Sequence, residues 1–301
     1  MAGDFLTILG RYTGNDTAVA VPDGLTTIGE RAFAGNTALE EVIVPEGVRS
    51  IEAGCFDSCT HLRSVRLPRT LWHIGARAFR GCTSLESLVL PGEVSSIGAD
   101  AFRSCSSLAR VVLPDSLKHL EDGAFSNCAA LQEVLFSESL RELGRYSFKD
   151  CASLVEVFLP EGLEVIPEGA FEGCTSLLGV VLPSTLREIG SRAFAGCSRL
   201  FQPAVPAGVS VIAGDAFEGA GTISRGAEPA GTARTQVVAD GMESHQFANG
   251  MVATSVGDGA SRADSPSDAS SAPHSHDASQ RKEARRIAHD RADWSNLAGW
   301  Q

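Results

Sequence analysis

Phenylalanine recurs in this 301-residue chain at a fixed interval of 23 residues, and this repeat restricts the possible folds more than any other feature. Leucine or isoleucine stands five residues before each of these phenylalanines and again six residues after it. A unit of 23 residues is too short to bury its own apolar side chains, so successive units must stack and share one core. The repeat therefore predicts a solenoid of about nine coils over residues 25–223. The repeated phenylalanines are Phe33, Phe56, Phe79, Phe102, Phe125, Phe148, Phe171, Phe194 and Phe217.

The units contain a short alternating apolar run that ends at proline, as in Leu88-Val89-Leu90-Pro91, with Ser137 in place of proline in one unit. Alternation predicts a half-buried strand, and proline ends it because proline cannot donate a ladder hydrogen bond. Around each phenylalanine, apolar residues three to five positions apart predict a short helical turn. We therefore expect an α/β solenoid with short parallel strands on one face and short helical turns on the other.

One complete unit, residues 65–85, carries a recognisable pattern. It contains Val65, Leu67, Pro68, Leu71, Ile74, Gly75, Ala78, Phe79, Cys82 and Leu85. This pattern resembles the BspA-like leucine-rich repeats, and the resemblance covers about residues 5–223. It implies a leucine-rich-repeat solenoid that serves as a binding or adhesion module, often on a cell surface or secreted, without catalytic residues common to the family.

The two ends of the chain depart from the repeat. Turn residues Gly14-Asn15-Asp16 between apolar runs predict a β-hairpin, which would form an N-terminal cap over residues 1–24. Residues 261–279 hold seven serines and almost no apolar side chain, a composition typical of disorder. We expect residues 224–301 to form a disordered tail with a short basic helix at 279–293.

Charge and hydropathy exclude some functions and bear on the compartment. The net charge of −12 argues against nucleic-acid binding, which needs a basic surface. The sequence has no run of about 18 apolar residues that would predict a membrane-spanning helix, so membrane insertion is not expected. The first residues lack the basic and apolar regions of a secretory signal, which favours the cytoplasm, whereas the resemblance implies the cell surface. The localisation therefore stays open at this point.

Seven of the eight cysteines occupy one column, three residues after phenylalanine, and Cys55 occupies a column that is otherwise mostly alanine. The pattern favours a ladder of buried free thiols. Disulfides between neighbouring coils and metal binding are the alternatives; the sequence holds no Cys-x-x-Cys pair. No motif pairs a nucleophile with a base, so we expect no catalytic, cofactor or metal site and no enzymatic activity.

A partner site is predicted on the strands, where the middle residue of each alternating run must point away from the core. This column is apolar in most coils, and carboxylates border it. An exposed apolar strip with an acidic border is typical of a protein-binding surface. We expect a monomer that binds a protein partner. The candidate residues are Ile43, Val89, Val112, Leu135, Phe158, Val181, Glu133 and Glu156.

Two other interpretations of the array remain. The apolar column also fits the general preference of strands for β-branched residues. In that case the chain is a structural spacer, or a leaderless paralogue without a selected ligand.

Overall fold

The computed structural model describes residues 8–201, 203–221, 224–225 and 236–238. These residues all fall within one compact unit, Met1–Asp240. Most of the predicted tail lies outside the described residues, which include only 224–225 and 236–238 of it. The basic helix predicted at 279–293 also lies outside them.

Two kinds of short strand alternate along most of the chain. One lies just after the leucine of a repeat, although the coil of residues 86–91 has none, and the other includes the isoleucine or leucine five residues before phenylalanine. The strands are β1 (Ile8–Leu9), β2 (Ala18–Ala20), β3 (Thr27–Ile28), β4 (Glu41–Ile43), β5 (Ser50–Ile51), β6 (Ser64–Arg66), β7 (His73–Ile74), β8 (Ser96–Ile97), β9 (Arg110–Val112), β10 (His119–Leu120), β11 (Glu133–Leu135), β12 (Glu142–Leu143), β13 (Glu156–Phe158), β14 (Val165–Ile166), β15 (Gly179–Val181), β16 (Glu188–Ile189), β17 (Ala204–Val205), β18 (Val211–Ala213), β19 (Ser224–Arg225) and β20 (Gln236–Val238).

The strands form parallel sheets that run along the solenoid. The first kind of strand builds the sheets β2-β4-β6, β9-β11-β13-β15 and β17-β19. The second kind builds β1-β3-β5-β7-β8-β10-β12 and β14-β16-β18-β20. Pairs such as Val42↔Val65 and Ile166↔Ile189 lie one repeat apart. The predicted solenoid of short parallel strands is therefore confirmed.

The predicted helical turns are wrong, because the described residues contain no helix. In most coils two residues have a left-handed backbone conformation, as at Arg77 (φ 58°) and Gly81 (φ 71°). This conformation interrupts a right-handed helix. The backbone donors also alternate in direction. Ala78 N donates to Gly75 O within its coil at 3.2 Å, whereas Phe79 N donates to Ala101 O of the next coil at 2.7 Å. A helix would direct both bonds inside the coil.

The predicted N-terminal hairpin is also wrong for residues 8–24. β1 pairs with β3 and β2 pairs with β4, both in parallel and in different sheets. This segment therefore forms a further coil, because its strands hydrogen-bond to the coil that follows. The ring of Tyr12 lies 5.1 Å from that of Phe33 and covers the first ring of the phenylalanine column.

At the other end, the pairing continues beyond residue 223. β19 pairs with β17, and β20 pairs with β18. At residues 224–225 and 236–238 backbone pairing therefore extends two of the sheets, and the disorder of the tail stays a prediction.

The core is a set of columns in which each position stacks on its equivalent one coil away. Consecutive phenylalanine rings from Phe33 to Phe217 are stacked, with centroids 5.0–5.6 Å apart and interplanar angles of 3–14°. The flanking leucine and isoleucine columns are buried as well. Aromatic rings bury the largest apolar area per residue, so each phenylalanine is the largest single contributor to the buried apolar surface of its coil.

Ser147 breaks one of these columns, the one that holds Ala124 and Ala170 in neighbouring coils. Its side chain is fully buried, and its hydroxyl has no hydrogen-bond partner among the described residues. A buried hydroxyl without a partner is destabilising, because folding removes it from water without compensation.

We expect Ser147→Ala to raise the free energy of unfolding by about 1–2 kcal/mol. The reverse change in the preceding coil, Ala124→Ser, should lower it, because it creates the same buried hydroxyl. Urea unfolding followed by circular dichroism measures both variants. A Ser147→Ala protein less stable than the wild type would contradict the assignment.

Candidate functional site

The candidate strip lies on the outer face of the first kind of strand, which we call the strand face. In β4 the central residue Val42 is buried, while Glu41 and Ile43 on either side are exposed. The same alternation turns all six apolar candidates outward. Ile43, Val89 and Phe158 are exposed, and Val112, Leu135 and Val181 are half-buried.

The register brings four of the six apolar candidates together. Leu135 is the register partner of Val112, and Phe158 is that of Val181. Their strands β9, β11, β13 and β15 form one sheet, so these side chains follow one another at intervals of about 4.8 Å. Ile43 is not part of this group, because its register partner is Arg66. The continuous strip therefore belongs to the central and C-terminal coils.

The two acidic candidates differ in their surroundings. Glu133 is paired with Arg110, with 3.2 Å between Oε2 and Nε. Glu156 is exposed and makes no ion pair within the described part of the chain. Of these two candidates, Glu156 is therefore the one whose charge is unpaired within the described residues.

A second apolar column beside the strip was missed by the sequence prediction. Val155, Leu178 and Phe201, seven residues after phenylalanine, are 38%, 41% and 70% exposed. They are neighbours in space, since Leu178 N donates to Val155 O at 2.8 Å and Phe201 N to Leu178 O at 3.3 Å. The equivalent residues in earlier coils include Glu40, Arg63, Glu86 and Gln132. This change from polar to apolar along one column was the sequence signal that could have identified it.

The cysteines lie on the inner side of the turns. All eight are buried free thiols, as predicted. Each thiol of the main column donates to the carbonyl of the phenylalanine in the preceding coil, for example Cys59 Sγ to Phe33 O at 3.1 Å and Cys128 Sγ to Phe102 O at 3.2 Å. Among the described residues, no group of three or more histidine, cysteine or acidic side chains is placed to hold a metal ion.

Burial makes these thiols chemically inert. It raises the pKa of Cys59 and of Cys128 from the ordinary value of 9.0 to about 12. The same cause raises the pKa of Cys105 and Cys151 well above that value. Because the thiolate is the nucleophile and the metal ligand, protonated buried thiols support packing rather than chemistry.

Comparison with known proteins identifies the family. The model of the BspA type leucine rich repeat region, with six copies, matches residues 11–129 and 95–224. The chain therefore belongs to the BspA-type leucine-rich-repeat family, as the sequence resemblance predicted. No protein of curated function matches the chain at a significant level.

Several solved structures of bacterial proteins are similar to this chain. A leucine-rich repeat protein from Bacteroides ovatus is 27% identical with a TM-score of 0.63, and the match covers 67% of this chain and 55% of that one. The chain thus spans about half the length of that protein. The T. pallidum leucine rich repeat protein is 36% identical, with a TM-score of 0.49 and coverage of 64% and 82%. A leucine rich cell surface protein from Faecalibacterium prausnitzii is 22% identical, with a TM-score of 0.47 and coverage of 71% and 82%.

The matched family describes a repeat region, and repeat proteins of this kind act as interaction scaffolds. Within the described residues, no helix has the length and apolar character needed to cross a bilayer.

The raised pKa values predict alkaline unfolding. A thiol with a pKa near 9.0 unfolded and about 12 folded binds its proton more tightly in the folded state. Its contribution is complete below pH 9 and is lost as the pH rises towards 12, at about 1.4 kcal/mol per pH unit for each thiol. Urea unfolding under reducing conditions between pH 8 and 11 measures this slope.

The variant Cys128→Ala should have a shallower slope by the amount of one thiol, because it removes one titrating group. A slope that is the same in the variant and the wild type would contradict the assignment of that group.

Proposed function

We propose that this protein is a non-enzymatic binding module that holds a protein partner across its strand face. The observation that carries the proposal is the continuous apolar strip of Val112, Leu135, Phe158 and Val181 on one outward face. Covering exposed apolar surface is favourable by about 25 cal/mol for each Å² removed from water. A partner of matching shape would therefore gain stability on this face.

The strands of the second kind support this reading over a simple strand preference. They carry polar residues at the corresponding outward position in most coils, with the exposed Val165 and the half-buried Val211 as apolar exceptions. If β-branched preference alone produced the strip, both kinds of strand would carry one. The polar residues are His73, Ser96, His119, Glu142 and Glu188.

The absence of enzymatic activity is supported by the state of the most reactive side chains. The thiols of the described coils are buried and protonated at neutral pH. The net charge of −12 favours protein over nucleic acid as the partner.

The triple variant Val112→Ser, Leu135→Ser, Phe158→Ser tests the strip. A random 16-residue peptide-display library, selected on the full chain, supplies binding peptides, and fluorescence anisotropy gives their affinities. We expect the triple variant to bind them at least tenfold more weakly, because apolar contacts at the centre of an interface carry most of its affinity.

The matched control is the double variant Val165→Ser, Val211→Ser. It changes apolar residues on strands of the second kind, outside the strand face, and should leave binding unchanged. Thermal unfolding confirms that each variant is folded. Equal affinity of the wild type and the triple variant would contradict the proposal and favour a spacer.

A further inference from the structure

Gly179 begins β15, in the continuous sheet of the strand face. Its backbone is not left-handed, and a Cβ added to it would meet no atom of the described residues within 4 Å. Neither the conformation of the chain nor the packing of the described residues therefore requires glycine at this position.

Glycine is an unfavourable choice in a strand, because it has no side chain to pack and loses more backbone freedom than other residues. The equivalent residues in other coils include Arg110, Glu133 and Glu156, which all have long side chains. Gly179 thus lowers the stability of its strand. On the surface it leaves an open space at the position where the other coils have a side chain.

Apolar side chains flank this space on both sides. Leu178 lies beside it in the chain, between its ladder neighbours Val155 and Phe201. On the other side lie Val181 and its register partner Phe158, which is 44% exposed. We call these five residues and Gly179 the glycine depression.

One charge lies directly at the glycine depression. Glu156 is the register partner of Gly179, about 4.8 Å away along the solenoid. It makes no ion pair within the described residues, whereas Glu133 in the preceding coil is paired with Arg110. The edge of the depression therefore has a local negative potential that favours a cation.

We propose that the glycine depression receives one aromatic side chain of the protein partner, next to a lysine or arginine that pairs with Glu156. An aromatic ring can lie on the flat backbone at Gly179 and contact Phe158 and Phe201 by offset or edge-to-face packing. Aromatic residues and arginine are also the side chains that dominate the energy of protein interfaces. This inference rests on the proposed function, and names the part of the partner that the strand face recognises.

The test uses the full chain and the same 16-residue display library, followed by synthetic peptides in fluorescence anisotropy. Peptides selected on the wild type are expected to be enriched in an aromatic residue next to lysine or arginine. Gly179→Val should weaken their binding at least tenfold, while its midpoint of urea unfolding stays equal to or above that of the wild type. A merely structural glycine would give the opposite change in stability.

Two further variants keep the result specific. Gly92→Val is the matched control, because Gly92 also has open space around it and an ordinary backbone conformation, but lies outside the depression. It should leave binding unchanged. Glu156→Gln, on an exposed side chain, should weaken peptides that carry the basic residue about tenfold, and leave peptides with a neutral residue there unaffected.

The possible failures are distinguishable. If binding is lost in the triple serine variant but unchanged in Gly179→Val, the depression is not the recognition site and the strand-face proposal stands. Enrichment of acidic or non-aromatic peptides overturns the inference in the same way. If peptide binding is indifferent to every variant, or no peptide binds the wild type, both the inference and the proposed function are wrong.

Discussion

Backbone hydrogen bonds between successive coils are the interaction on which the other features depend. The amide of Phe125 donates to Ser147 O at 2.8 Å, and the amide of Phe148 donates to Ala170 O at 2.9 Å. In the turns around the phenylalanines the acceptor lies 22 residues further on, so equivalent residues are brought side by side in successive coils. The stack of phenylalanine rings follows from this register, and so does the repeat length, since one residue more or less would shift every later side chain.

The same register separates the positions that must be uniform from those that are free to vary. Phe56 O accepts bonds from Cys59 N of its own coil at 3.1 Å and from Cys82 Sγ of the next coil at 3.2 Å. A cysteine in this column therefore joins two coils while filling a small apolar space. In the coil of Phe33, Asn36 takes that place, and its Nδ2 donates to Gly14 O. Outward side chains are not needed for these bonds between coils. The sequence can therefore place an apolar strip, a charged residue or a glycine at the outward positions.

The 23-residue period was sufficient to predict the parallel stack, the buried columns and the outward direction of the strip, because all three depend on periodicity alone. The turns were not predictable in this way. Apolar spacing of three to five residues fits a helix and a chain of alternating turns equally, and left-handed residues such as Arg77 and Tyr146 have no sequence signature. The prediction of an N-terminal hairpin failed because a local turn signal cannot show that both strands pair with the next coil. Val155 and its neighbours were missed because they lie just before the alternating run.

Two internal deletions in the full chain test most directly whether in-register stacking governs the fold. Removing residues 92–114 takes out one complete period and reconnects Pro91 to Asp115 in the original register. Removing residues 92–103 takes out about half as many residues but leaves a fragment that cannot complete a coil. Urea unfolding should find the 23-residue deletion more stable than the 12-residue deletion, with cooperative unfolding retained. A 12-residue deletion that is the more stable of the two would contradict the dependence on register.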